Sequence, residues 1–508
     1  MDGRTGLSFP HEIWWLVAQE FASRRDFCSL FLCARLGRGM ARVALPELYA
    51  IHDKSPALDA HILNVESSVC LWRSIIVSSL GKTLFPYCCW IKALRLGNLL
   101  SHLEDLGRGN PVLKAQFFSP PLEKLQIHRG RGKALNPEAI IVQVANMVTE
   151  CIRTSADHEA RRAGITALEG LHLPTANLPT WVSSLSNLTS LSVRDGSVLN
   201  SDVACAINAN CPAFRELECF YCKGTDVDDQ LAGFFRSLKP NSLQSFTIRS
   251  MNDLGSETFK SLCEHTQSLK TLILFSLGLA ALQSLNELQR CLLLESLKLE
   301  GAWSTQRYPW ETESKQVFQE VVQWLQNCTS LKVLEFIMIP VSTTILAKVL
   351  KLPSIRLQSL SIKTPDLDKE FCEALPIQQR LQHLSVKMPD EYLLEASDER
   401  HIMLTDAITC CHELRDLDTN ELFTFEEVER ICASLPLLAD IVLNGDLIED
   451  VFLAPFRQLR NLKSLTTYGP FTPAEEATVR SALSARFGGR FDINYRADPE
   501  DLHEYSSD

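Results

Sequence analysis

Cys219-Phe-Tyr-Cys222 is where residue type and spacing come nearest to metal chemistry, because a Cys-x-x-Cys pair can offer two thiolates from one turn. A structural zinc site needs a second such pair at suitable spacing, and none follows. Gly81-Lys82-Thr83 has the ending of a phosphate-binding loop, but the glycine required five positions earlier is Ile76. Asp226, Asp228 and Asp229 crowd one turn without the glycine and glutamate frame of a calcium loop. Neither His-Glu-x-x-His nor Gly-x-Ser-x-Gly occurs, and the 12 histidines are scattered. These residues nominate no catalytic, cofactor-binding or metal-binding group. The chain reads as non-enzymatic, with no cofactor.

What must be positioned is therefore a surface, and the elements that build it repeat. The phrase Leu-x-x-Leu-x-Leu appears as Leu269-Leu272-Leu274, Leu188-Leu191-Val193, Leu243-Phe246-Ile248, Leu294-Leu297-Leu299 and Leu331-Leu334-Phe336. It returns as Leu357-Leu360-Ile362, Leu381-Leu384-Val386, Leu438-Ile441-Leu443 and Leu462-Leu465-Thr467, with looser copies at Phe214-Leu217-Cys219 and Leu414-Leu417-Thr419. From Leu188 to Leu462 the starts fall 26, 29, 26, 25, 37, 26, 24, 33, 24 and 24 residues apart. That period, of about 20–29 residues, is the leucine-rich-repeat range. The resemblance implies an α/β fold: a solenoid with one strand and one return helix per repeat, its strands forming a curved parallel sheet. Helical spacing between phrases agrees, as in Phe318-Val321-Val322-Leu325 and Val428-Ile431-Leu435. Earlier copies are expected at Ile91-Leu94-Leu96, Leu122-Leu125-Ile127 and Leu168-Leu171-Leu173, and Ile140 to Ile152 reads as an amphipathic helix.

Composition sets the remaining bounds. The formal charge of −12 argues against a general nucleic-acid binder, which would carry a basic face. No leader is legible, because the first apolar run, Ile13 to Ala18, is short and follows charged residues. The 17 cysteines, many of them single within apolar segments (Cys263, Cys291, Cys372, Cys432), suit reduced thiols and a cytoplasmic or nuclear protein.

The first fifty residues differ from the repeats. Ile13, Leu16, Val17 and Phe21 form an apolar stripe, Asp26 can cap a second helix with Phe27, Leu30 and Phe31 inward, and Val43, Leu45, Leu48 and Tyr49 form a third apolar group. Phe9-Pro10, Glu12-Ile13, Leu16, Phe21, Asp26-Phe27, Leu30, Cys33, Arg35 and Pro46-Glu-Leu48-Tyr49 resemble an F-box. Phe9 stands where that family has Leu, Trp14 departs likewise, and Ala34 separates Cys33 from Arg35. The resemblance implies docking, through Phe9, Pro10, Ile13, Leu16 and Phe27, to the adaptor subunit of an SCF-type cullin–RING ubiquitin ligase, and through the adaptor to a cullin. The expected organisation is an F-box-like unit over 6–52, a helical connector over 53–87, the solenoid over 88–490 and an acidic tail over 491–508.

Strand alternation turns phrase positions 1, 4 and 6 inward and sets the intervening residues on the exposed, concave wall. There Phe220, Phe275 and Ile337 supply large apolar groups, while Arg249, Lys298, Lys363 and Lys387 make a locally basic strip in an acidic protein. This strip is the candidate contact for a target protein, one with an acidic segment. Two function classes stay open: a substrate-recognition subunit of a ubiquitin ligase, or a leucine-rich-repeat scaffold or inhibitor whose N-terminal helices only cap the repeats.

Overall fold

The structure is a computed structural model that describes residues 10–55, 65–109, 111–130, 134–155, 164–170, 176–364, 367–389, 398–444, 454–468 and 492–496. Phe9, Leu171, Leu173 and most of the acidic tail lie outside the described residues. Internal contacts divide the chain into two units, Met1–Leu243 and Gln244–Asp508.

The first unit opens on three helices. Pro10 is the N-cap of α1 (His11–Ser23), and Glu12 sits in its first turn, at the positive end of the helix dipole. The Asp26 carboxylate caps α2 (Phe27–Arg35) by accepting the Ser29 N–H at 2.9 Å. With α3 (Arg38–Ala50) these helices close around Ala18, Ala22, Leu30, Val43 and Ala44, against which Trp14, Phe21 and Leu48 pack. Three of those five interior residues are alanines. Small residues let helix axes approach closely, and Ile13, Trp15 and Leu16 of α1 and Phe31 and Leu32 of α2 are left outside. The expected inward stripe is thereby corrected: Ile13 is 42% exposed, Leu16 55% and Phe31 54%.

A joint of helices and aromatic rings carries the chain from α3 to the first strand. Tyr49 stacks on Tyr87, and Phe85 and Trp90 complete the cluster. Tyr87 begins the short helix α5 (Tyr87–Trp90), which packs on α4 (Val65–Ser79). Beyond it, Arg95 pairs with Asp53 at 3.3 Å and with Glu169 at 2.9 Å, tying the end of the helical unit to two strands.

Those strands are β1 (Ala93–Arg95) and β2 (Ala167–Gly170), followed by β3 (Ser190–Asp195) and β4 (Glu216–Tyr221); each pairs with the next in parallel. The expected repeat at Leu122-Leu125-Ile127 is not a strand. Residues Glu123–Leu125 form a 3-10 turn, and β1 pairs directly with β2, so the ladder has no vacancy for it. The long interval between β1 and β2 holds helices instead, including α8 (Pro137–Thr154), which buries Ile140, Ile141, Val144, Val148 and Ile152.

Among the described residues the second unit carries ten strands in chain order, all parallel. They are β5 (Ser245–Ile248), β6 (Thr271–Leu277), β7 (Ser296–Gly301), β8 (Val333–Ile337) and β9 (Ser359–Lys363), then β10 (His383–Lys387), β11 (Asp416–Leu422), β12 (Asp440–Asn444), β13 (Ser464–Tyr468) and β14 (Asp492–Arg496). Parallel neighbours need a crossover between them, and from β5 to β13 helices or 3-10 segments supply it. The helix Lys315–Asn327 buries Phe318, Val321, Val322 and Leu325, and Phe425–Ser434 begins with a reciprocal Thr424–Glu427 capping box. Phrase positions 4 and 6 are sealed: Leu272, Leu274, Leu297, Leu299, Leu334, Phe336, Leu360 and Ile362 are each at most 1% exposed. One repeat cannot close that core alone, and stacking closes it. Each unit is a leucine-rich-repeat solenoid of the α/β class. The strand Asp492–Arg496 lies inside the range expected for the acidic tail, so regular structure runs past 491.

Candidate protein-interaction surfaces

Two surfaces follow from these placements, one on each unit. On the first, α1 and α2 present apolar side chains to solvent. Ile13, Trp15 and Leu16 on α1 are 42–55% exposed, and Phe31 and Leu32 on α2 are both 54% exposed. Pro10 is also exposed and Phe27 half-buried, so the described residues of the expected adaptor-facing set are accessible. The reason is local: α1 spends its buried face on Ala18 and Ala22, two and six positions beyond Leu16, which puts Leu16 on the far side of the helix. Scattered exposed apolar residues need no explanation, and these large ones on two neighbouring helices are a candidate interaction surface.

On the second unit the strands set outward residues in register. Position 5 of successive phrases aligns Lys298 with Glu335, then Ser361, Ser385 and Asp418. The position after each phrase aligns Glu300 with Ile337, Lys363 and Lys387. This register corrects the basic strip. Lys298 Nζ lies 2.6 Å from Glu335 and Lys387 Nζ 2.8 Å from Asp418, so both ammonium groups are already neutralised. Burial pushes the Glu300 carboxyl up, as does neighbouring Glu335, while Lys363 pulls it down. The face is therefore a lattice that carries both signs of charge, with Phe275 and Ile337 half-buried within it. Arg249 stands exposed just past β5. Phe220, 48% exposed, belongs to the first unit, so the expected strip divides between the two units.

Beside this lattice, Glu295 accepts both Lys270 and Lys332, at 2.8 and 2.6 Å. Those two bonds hold its carboxyl down at about 2. Farther along, His383 pairs with Asp416, whose carboxyl is raised by burial and by a hydrogen bond with Asp440. These groups border an open cavity of about 750 Å³ whose lining includes Arg415, Arg460 and Lys463. Asn420, the residue after Leu414-Leu417-Thr419, is buried; its amide accepts the Met388 N–H at 2.8 Å and donates to the Met388 C=O at 2.7 Å. It serves the backbone.

Two of the motifs weighed for chemistry have packing and helix-capping surroundings. Cys219 and Cys222 are fully buried, beside Gly196, where an added Cβ would meet Cys222 Sγ at 2.5 Å. The acidic triplet opens the helix Val227–Ser237, where negative charge suits the helix dipole. Among the described residues, no helix is long and apolar enough to cross a membrane.

No protein-family model matches the chain, and no curated protein matches it. Solved structures do. The complex of Rad7 and Elc1 in yeast aligns over 69% of this chain and 87% of that one, at 14% identity and a TM-score of 0.40. The TLR13–ssRNA13 complex aligns over 71% and 49%, at 15% identity and a TM-score of 0.32. A Bacteroides fragilis protein aligns over 71% and 83%, at 9% identity and a TM-score of 0.28.

Proposed function

We propose that this chain is the substrate-recognition subunit of an SCF-type cullin–RING ubiquitin ligase, acting in the cytoplasm or nucleus. The observation that carries the reading is the exposure of Pro10, Ile13 and Leu16 on α1, at the positions that the F-box-like sequence pattern assigns to adaptor contact. A helical unit that only capped a solenoid would turn its large apolar residues toward the repeats. Here α1 buries Ala18 and Ala22, while Ile13, Trp15 and Leu16 face water. The aromatic joint at Tyr49 and Tyr87 then holds the docking unit at a fixed place on the first repeats.

The contribution to catalysis is proximity. A target held on the repeat sheet near a charged ubiquitin-conjugating enzyme reacts at a raised effective concentration. Target contact falls to the outward rungs, with Phe275, Ile337, Lys298, Lys363, Lys387 and Arg249 on the second unit and Phe220 on the first. Since Lys298 and Lys387 are paired, a target has to complement both signs of charge around the two apolar rungs. The test is affinity purification from cells with wild type and a Pro10→Ala/Ile13→Ala variant. The reading expects adaptor and cullin with wild type and neither with the variant. Recovery of neither protein by wild type favours the scaffold or inhibitor class.

A further inference from the structure

Three sulfur atoms converge in the first unit. Cys88 Sγ lies 3.5 Å from Cys151 Sγ and 4.0 Å from Cys89 Sγ, and all three sulfurs fall within 4.8 Å of one another. Cys88 and Cys89 are adjacent on α5, and Cys151 projects from the last turn of α8. Among the described residues this is the one place where three possible metal ligands gather. Other thiols meet in pairs, such as Cys263 and Cys291 at 3.9 Å, and so offer fewer sulfur donors than this cluster.

We propose that Cys88, Cys89 and Cys151 bind a single thiophilic cation of low coordination number. A metal–sulfur bond of about 2.3 Å places sulfurs about 3.8 Å apart in a tetrahedral set and about 4.0 Å apart in a trigonal one. The observed separations bracket both values, so small side-chain rotations suffice. All-thiolate donors select soft or borderline ions, of which copper(I) accepts three sulfurs and zinc(II) takes a fourth ligand. Water can supply that fourth ligand, because Cys151 is half-buried whereas Cys88 and Cys89 are 0% and 2% exposed. Binding forms three metal–sulfur bonds and releases the thiol protons to solvent, with no change of oxidation state.

The site is supported from outside its sulfurs. The Cys88 N–H donates to Ser78 Oγ at 2.7 Å, which pins α5 to α4. The same short helix carries Tyr87, on which Tyr49 stacks. A bound ion therefore clips α5 to α8 and braces the joint below the N-terminal helices.

The experiment uses the reduced full-length chain, equilibrated anaerobically with copper(I) against a competing chelator or with zinc(II), then desalted and analysed for metal. Wild type is expected to retain one equivalent more than Cys151→Ser, and Cys263→Ser to match wild type. X-ray absorption of the loaded wild type is expected to show a sulfur-only shell at about 2.3 Å for copper(I), or sulfur plus one oxygen for zinc(II). The loaded wild type is also expected to melt higher than the metal-free protein, while Cys151→Ser gains nothing. Equal retention by wild type and Cys151→Ser with both metals overturns the site. So does a wild-type spectrum without a three-sulfur shell, which is decisive even where the variant folds poorly.

Discussion

Tyr49 and Tyr87 stack with ring centroids 4.6 Å apart and planes 17° from parallel, and this contact joins the last turn of α3 to the first residue of α5. Tyr49 Oη also meets Ser74 Oγ at 2.7 Å, and burial pushes the phenol up to about 12, so it stays neutral and hydrogen-bonded. Tyr49→Ala removes a buried aromatic and is expected to cost about 3–5 kcal/mol. Tyr49→Phe keeps the stack and loses one hydrogen bond, about 1 kcal/mol. Denaturant midpoints of the two variants check the difference.

The N-terminal helices separate docking from stability. Leu30 is 0% exposed, and Leu30→Ala is expected to cost about 2–5 kcal/mol. Ile13→Ala with Leu16→Ala deletes more apolar surface, yet that surface already faces water, so the change stays within about 0.5 kcal/mol per site. Thermal unfolding of the full chain distinguishes them.

Much of this was legible in the sequence, for a physical reason. Strands that recur every 24 to 37 residues turn Leu272, Leu297 and Leu334 inward alike, so repeat and burial come together. Three things were not legible. Periodicity marks the stripe of Ile13 and Leu16 but does not say which side is dry; Ala18 and Ala22 decide that by permitting close helix contact. Lys298 and Glu335 are 37 residues apart, and only strand register brings them together, so the basic strip read from sequence was half of a charge lattice. Motif spacing along the chain likewise cannot join Cys88 and Cys89 to Cys151, although the adjacent cysteine pair was a visible signal.

Arg400 and Glu421 form an ion pair at 3.0 Å with side chains only 10% and 4% exposed. Arg400→Met leaves the carboxylate buried without its partner, and about 3–5 kcal/mol of stability is expected to go. Arg400→Met with Glu421→Leu removes both charges and is expected to recover most of that loss. A double-mutant cycle in denaturant measures the coupling.

Glu295 gives the pH dependence a sign. Its carboxyl falls from 4.5 to about 2 in the folded chain because Lys270 and Lys332 both bond it. A depressed folded value means the contribution is complete above about 4.5 and is lost as pH falls toward about 2. The melting-temperature gap between wild type and Glu295→Gln is therefore expected to close over that window. Salt is expected to narrow the gap at neutral pH, since the three side chains are 33–54% exposed.

The strip on the repeat sheet is expected to act through its apolar rungs together with its charges. Phe275→Ala with Lys298→Ala and Lys363→Ala should change the set of co-purifying proteins while leaving the adaptor bound. An unchanged set removes the strip from the account.

The most direct measurement is a binding titration of the purified SCF adaptor subunit against the full-length chain and its Leu16→Asp variant, with circular dichroism confirming equal helix content. Docking through α1 predicts saturable one-to-one binding by wild type and a loss of at least about tenfold in the variant, the effect of some 1.4 kcal/mol at an interface. Absence of binding by wild type, or equal binding by Leu16→Asp, contradicts the ligase-receptor reading.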